Sequence, residues 1–321
     1  MNSRSLIALV LIITIIIINL LAFATPAAGS DALKRDLLQN IISLNKSGVF
    51  DDYDELSLAK AEVQAVIQSM EGSEVTYTTK EWVNIFLTIV DKFEKMAPLS
   101  ESQSPADHKE ALKMADSINT SIIKLNSYAT AERNGIPMLA ERALKRFYRD
   151  EGRYFKDMAT NTNVTKVKIE YEYISSASYG EGGMPSDASR MKFEALRDER
   201  MYKRDMERAS EYVMASRSYL DNARSASSSL FGAAFMEIIK ARDSYEHAEK
   251  LYEKHRDNAL GDIKGLKPEI NRVYQRLMLD TLIVVAIYLL ILTCITVILW
   301  LDFNRWTKEL DDTRLGEEVI V

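Results

Sequence analysis

Three histidines and one cysteine are the residues of this chain with the widest chemical range. His247 and His255 fall in one helical stretch, eight residues apart, a spacing that turns them about 80° from each other on a helix. Neither they nor His108 fit the His-x-x-x-His of a helical zinc site or the Glu-x-x-His of a bundle metal site. All three therefore read as exposed histidines on charged helix faces. Cys294 lies in an apolar run near the C-terminus, so the remainder has no disulfide, no thiolate metal site and no thiol nucleophile. The cluster Asp51-Asp52-Tyr53-Asp54-Glu55 lacks the sixth-position Gly and twelfth-position Glu of an EF-hand loop, and reads as an acidic helix start. Glu181-Gly182-Gly183 is followed by no Gly-Lys-Ser/Thr, which excludes a phosphate loop, and no Gly-x-Ser-x-Gly elbow occurs. The expectation is a protein with no catalytic, cofactor-binding or metal-ligating residue. The tyrosines between Tyr148 and Tyr252 could line a groove, but at helical spacing they read as core and rim packing. Asn45, Asn119 and Asn163 open glycosylation triplets.

The elements that carry these residues are bracketed by two apolar runs. Leu6 to Phe23, broken by Thr14 and Asn19, follows Arg4 and precedes the small residues Ala27-Ala28-Gly29. That order is a secretory signal, with an uncleaved signal anchor as the alternative. Thr281 to Leu301 has no charge between Asp280 and Asp302, and at about 1.5 Å per residue it crosses a hydrocarbon core of about 30 Å. Trp300 and Trp306 stand where an aromatic belt belongs. A chain that enters behind Arg4 has its middle translocated and its C-terminal tail returned to the cytoplasm. The flanks of the second run are nearly balanced, with Arg305, Lys308 and Arg314 after it and Lys267, Arg272 and Arg276 before it. Topology therefore rests on the N-terminal segment. Lys and Arg total 41 against 47 Asp and Glu, a net charge of −6 with both signs interspersed. No basic stripe exists to neutralise phosphates, which excludes nucleic acid as a partner.

Between the runs, sparse glycine and proline punctuate helical patterns. Leu33, Leu37, Ile41 and Leu44 share a face that ends at Gly48. The acidic cluster opens a helix that Gly72 stops, and Thr78 with Glu81 forms a capping box for a helix ended by Pro98. Ser104-Pro105 starts the next, running towards Asn134-Gly135, and Pro137 starts another. From Val164 to Ile174 the residues alternate as in a strand, yet Val164, Val167, Tyr171 and Ile174 also fit a helix; the absence of any second strand favours helix. After a loop at Gly180–Pro185, Met191, Ala195, Tyr202, Ala209, Tyr212, Ser216, Tyr219, Ala223 and Ala226 recur at near-heptad spacing, with Asp198 and Asp205 as polar interruptions. A break is expected between Ser225 and Gly232, then a helix over Phe235–Asn258. From Pro268 to Leu301 there is no helix breaker, so stalk and membrane segment form one rod.

The sequence thus predicts an all-α protein: an extracytoplasmic helical bundle, or stacked helical hairpins, on a continuous stalk with a single C-terminal transmembrane helix. Its parts are a signal segment (1–29), a first helical part (30–179), a long-helix part (186–262), a stalk (268–280), the membrane helix (281–301) and a short cytoplasmic tail (302–321). The expected function is non-enzymatic: a protein-interaction scaffold or an accessory subunit of a membrane complex. The alternative is a ligand-sensing receptor subunit that acts through its membrane helix. Ile270, Val273 and Leu277 form an apolar strip on the stalk, where a helix alone in water has no use for one. They are the candidate contact with a partner, which is the rest of the chain, a second copy or another membrane protein. The other partner is the lipid bilayer, through 281–301.

Overall fold

The computed structural model describes residues 31–71, 75–128, 135–225 and 231–317, with 310–317 as backbone alone. The signal segment, the stop at Gly72, Asn134, the break at 226–230 and the tail residues Val319-Ile320-Val321 lie outside the described residues. Among the described residues every regular element is helical and none is a strand. The order is α1 (31–43), a 3-10 turn Leu44–Lys46, α2 (Val49–Asp52), α3 (Asp54–Ser69), α4 (Tyr77–Ser100), α5 (Pro105–Asn126), α6 (Gly135–Asn161), α7 (Thr165–Glu181), α8 (Pro185–Ser225), α9 (Phe231–His255), α10 (Ala259–Ile263) and α11 (Leu266–Glu317). The ambiguous stretch is helix from Thr165 onward, within α7, and Val164 lies just before it.

Contacts divide the chain into two compact units: residues 1–162 with 167–197, and residues 163–166 with 198–321. The division falls inside α8, and the glycine loop at 182–184 belongs wholly to the first unit.

In the first unit α4 packs on α5, α3 on α6 and α5 on α6. Trp82, Phe86, Ile89 and Phe93 of α4 bury beside Leu56, Val63 and Ile67 of α3 and Ala111, Ala115 and Ile118 of α5, all at most 1% exposed. The small residues of α5 let the large ones of α4 approach, as close packing demands. The start of α4 differs from expectation. Its capping box is Thr76 with Thr79, each hydroxyl accepting the other's backbone N–H, rather than Thr78 with Glu81. Thr79 is buried, so its hydroxyl is satisfied locally, and that fixes the frame two residues earlier. Pro98 does not end α4 but sits in its last turn, where a lost hydrogen bond interrupts little.

α7 turns into α8 through a Schellman motif: Met184 N–H donates to Tyr179 O (2.8 Å), and Gly183 N–H donates to Gly180 O (3.1 Å). Gly183 takes the left-handed conformation this needs, with φ of 72°. α7 buries Glu172, Ser175, Ser176 and Ser178 along with Ile169 and Tyr179. The expected apolar face of Val164, Val167, Tyr171 and Ile174 is only half-buried. Two of those hydroxyls donate to backbone carbonyls of neighbouring helices, Ser175 to Gly152 (2.7 Å) and Ser176 to Ala188 (2.8 Å). Gly152, far from punctuating a pattern, lies mid-helix in α6, where a Cβ would stand 2.7 Å from the Tyr179 ring.

In the second unit α9 packs on α10 and α11. The core joins Ala209, Val213, Leu220 and Ala223 of α8 to Ile238, Ala241, Tyr245, Ala248 and Tyr252 of α9, and to Ile263, Leu266 and Ile270. The expected heptad face shifts here: Val213 and Leu220 are buried, whereas Tyr212 is exposed. Asp198 and Asp205, the polar interruptions of the near-heptad pattern, are buried on the inward side of α8.

Candidate functional site

The stalk strip is part of the second unit's own core. Ile270 is 2% exposed among the core residues, and Val273, Tyr274 and Leu277 pack half-buried against them. α11 runs antiparallel to α9, as its side-chain partners record. Lys267 Nζ pairs with Glu249 (3.0 Å) and lies over the Tyr245 ring, while further along α11 the Tyr274 ring meets Phe235, centroids 5.8 Å apart. Arg224 at the end of α8 pairs with Glu269 at 3.0 Å. Half-burial on α11 recurs at Val273, Tyr274, Leu277, Asp280 and Thr281, a helical face, and every residue from Leu282 to Leu301 is exposed. α11 is long and apolar enough to cross a membrane. Its hydroxyls suit an apolar solvent, since Thr281, Thr293 and Thr296 each donate to the carbonyl four residues back. Tyr274 was missed in the sequence because an aromatic with a hydroxyl is ambiguous between core and rim.

Two of the three histidines contradict the expectation of exposed positions. His255, last residue of α9, is 5% exposed. Its Nε2–H donates to Asp205 Oδ2 (3.0 Å), and its Nδ1 lies 2.9 Å from Thr165 Oγ1, whose hydroxyl proton it accepts while neutral. Lys254 Nζ donates to the same Asp205 oxygen at 2.8 Å. Lys254, opposed by burial and aided by His255, holds the Asp205 carboxyl down to about 2. Beside it Tyr202 donates to Asp257; burial and that acceptor push the phenol up to about 12, and the bond holds the Asp257 carboxyl below its usual range. The turn that presents His255 and Asp257 is a second Schellman motif, with Asp257 N–H to Tyr252 O and Arg256 N–H to Glu253 O, and Arg256 takes the left-handed position with φ of 48°. Hydroxyl, imidazole and carboxylate in this order are also the sequence of a nucleophile and its base. Here the carboxylate is shared with an ammonium, and the network ties α8, α9 and the 163–166 link together.

In the first unit, His108 is buried in α5 and stacked on Tyr154, ring centroids 3.5 Å apart. Its Nε2–H donates to Ser102 O (2.6 Å), and its Nδ1 lies 2.9 Å from both oxygens of buried Glu151 on α6. Because a carbonyl only accepts, Nε2 carries a proton, and one further proton is shared between Nδ1 and the carboxyl. Burial raises the Glu151 carboxyl above its usual range, against the pull of His108. Only His247 is exposed. The signal that could have found the other two was positional: Glu151 and Asp205 fall on the inward faces of their helices, where an acid needs a partner.

The acidic cluster does lie at helix starts, in α2 and α3, split by Tyr53. Asp51, Asp52, Glu101 and Asp150 border a recess of about 330 Å³ with Arg146. Among the described residues no group of three or more His, Cys, Asp or Glu could hold a metal ion. Tyr148, Tyr179, Tyr245 and Tyr252 are buried core residues. Asn163 is exposed between α6 and α7 and Asn119 is half-buried in α5. No family model, curated protein or solved structure matches the chain.

Proposed function

We propose that this chain is a non-enzymatic surface protein, held in the cell membrane by α11 with its helical units outside the cytoplasm, and that it works as an interaction scaffold or accessory subunit of a membrane complex. The observation that carries this reading is the strip of Ile270, Val273 and Leu277, which builds the root of the membrane helix into the core of a folded unit. A helix rooted in this way holds its unit at a fixed station above the bilayer, which is what a scaffold needs. The buried histidines and acids support the same reading, because their hydrogen bonds join helices to one another. With the strip engaged within the chain, a partner would be met elsewhere on the helical units. The outward placement rests on the signal-like order of Arg4, the Leu6–Phe23 run and the small residues after it.

Gentle detergent extraction of native membranes followed by native electrophoresis tests the scaffold. A band well above the chain's own size, composed of this chain and a second membrane or surface protein, is expected. Migration as a lone chain would overturn it. The continuity of α11 from the core to residue 317 favours one second reading, a receptor subunit whose ligand shifts the membrane helix against a partner. A small molecule that raises the melting temperature of the purified chain would favour that reading over the first.

A further inference from the structure

The recess of about 330 Å³ in the first unit gathers acids that its own residues leave unneutralised. Asp51 and Asp52 close α2, Glu101 follows α4, and Asp150 stands one turn after Arg146 on α6. Arg146 is drawn to Glu55, which lies 3.7 Å away and outside the recess lining, and Asp150 pairs with Arg153 at 3.5 Å. Asp51, Asp52 and Glu101 have no ion-pair partner among the described residues. The end of α4 adds to the field. A helix of 24 residues brings its negative pole to the recess, with no basic residue in its last turn to answer it.

Tyr53 points to a ligand independently of these acids. It is only 8% exposed, its ring set edge-on against Phe93 with centroids 5.1 Å apart. Its hydroxyl nevertheless makes no hydrogen bond to any described residue. A buried phenol ordinarily finds a partner, and one left without it is costly. Tyr53 lines the recess, and the charges that act on its hydroxyl include those of Asp150, Asp52 and Arg146, which line it too. Burial pushes the phenol up, Asp150 and Asp52 push it further, and Arg146 opposes them. The hydroxyl is thus aimed into the recess, where a bound molecule would be its partner.

We propose that this recess binds a linear polyamine, with one ammonium donating to the Tyr53 hydroxyl oxygen and the others spread among the carboxylates. The unpaired acids and the end of α4 call for a cation. A chelated metal does not fit, since no group of three or more His, Cys, Asp or Glu among the described residues could hold one. A single lysine side chain brings one charge and would leave most of the unpaired acids unanswered, whereas a polyamine carries several along one flexible chain. The recess has the volume of a small-molecule site. The proposal goes beyond the scaffold reading, and it gives the receptor reading a class of ligand.

Calorimetric titration of spermidine into the full chain, in detergent at low salt, tests this. Saturable binding of one spermidine per chain is expected. Tyr53→Phe keeps the ring and every charge, and should weaken binding about tenfold through the loss of one hydrogen bond to a charged group. Because that hydroxyl bonds to nothing in the free chain, the melting temperature without spermidine should not change. Asp54→Asn removes an exposed acid beside the recess that does not line it, and should weaken binding less than about twofold. No binding of spermidine overturns the proposal. Parent-like affinity in Tyr53→Phe, or equal losses in the two variants, shows diffuse attraction by an acidic surface and also overturns it. A lower melting temperature for spermidine-free Tyr53→Phe would assign the hydroxyl to the fold instead. Displacement of spermidine by equimolar calcium, or binding of a lysine-rich peptide through Tyr53 where spermidine fails, would give the recess to a metal or to a protein and overturn the polyamine.

Discussion

Gly152 weakens the middle of α6 by about 1 kcal/mol relative to alanine on helix propensity alone, yet its position has a use. A Cβ there would come within 2.7 Å of the buried Tyr179 ring, and its carbonyl accepts from Ser175. Gly152→Ala should therefore destabilise the first unit, the clash of about 1–3 kcal/mol exceeding the propensity gain. Urea unfolding of the detergent-solubilised chain measures this, and Tyr179→Leu in the same chain should recover most of the loss. Arg256 presents the opposite case, a left-handed position held by a residue with a side chain. Arg256→Gly should stabilise the second unit by about 1 kcal/mol in the same assay. Asp205 carries a pH dependence whose sign follows from its depressed carboxyl. A carboxyl at about 2 when folded and near 3.8 when unfolded adds stability that is complete above the unfolded value. That stability is lost as pH falls through the window between the two. Asp205→Asn should flatten the acid limb of the second unit's unfolding curve, and an unchanged limb would show that Lys254 and His255 do not act through it.

α11 is the element whose register matters most. Ile270, Val273 and Leu277 recur at helical spacing, and the structure sets them against α8 and α9. Replacing Val273 and Leu277 together with Asp puts two carboxylates against that core, where each is costly without a partner. The expected result is earlier protease cleavage in 198–265 with membrane association unchanged, read by limited proteolysis of vesicle-bound protein. A digestion pattern identical to the parent's would mean that the strip contributes nothing to the unit. α8 teaches a related point. Its inward residues include Asp198, Asp205 and Ser216, so apolar spacing alone predicts Tyr212 and Tyr219, one residue short of Val213 and Leu220.

At the scale of the molecule, the second unit extends past the end expected for the long-helix part. A fragment ending at Gly261 lacks Ile263, Leu266 and Ile270, all buried in that unit's core. A fragment of residues 31–279 should therefore unfold with two cooperative transitions in circular dichroism. One of residues 31–261 should keep only the transition of the first unit. Two transitions in both fragments would show that α11 is dispensable to the fold.

The sequence by itself determined that the described chain is helical and that one helix is long and apolar enough to span a membrane, because both are written in local periodicity and in uninterrupted apolar length. The start of α5 at Pro105 was legible for the same reason, since a first-turn proline depends only on its own backbone, although Ser104 makes no side-chain capping bond. Tertiary structure alone decided which polar residues turn inward. His108 meets Glu151 across 43 positions and His255 meets Asp205 across 50, and no local pattern marks a carboxylate as the partner of an imidazole that far away. The same holds for the serine face of α7 and for Gly152, whose roles exist only where another helix supplies a carbonyl or a ring. Buried polar contacts are pairwise and distant, whereas hydrophobic periodicity is local. That difference is why the elements could be read from the chain and their joints could not.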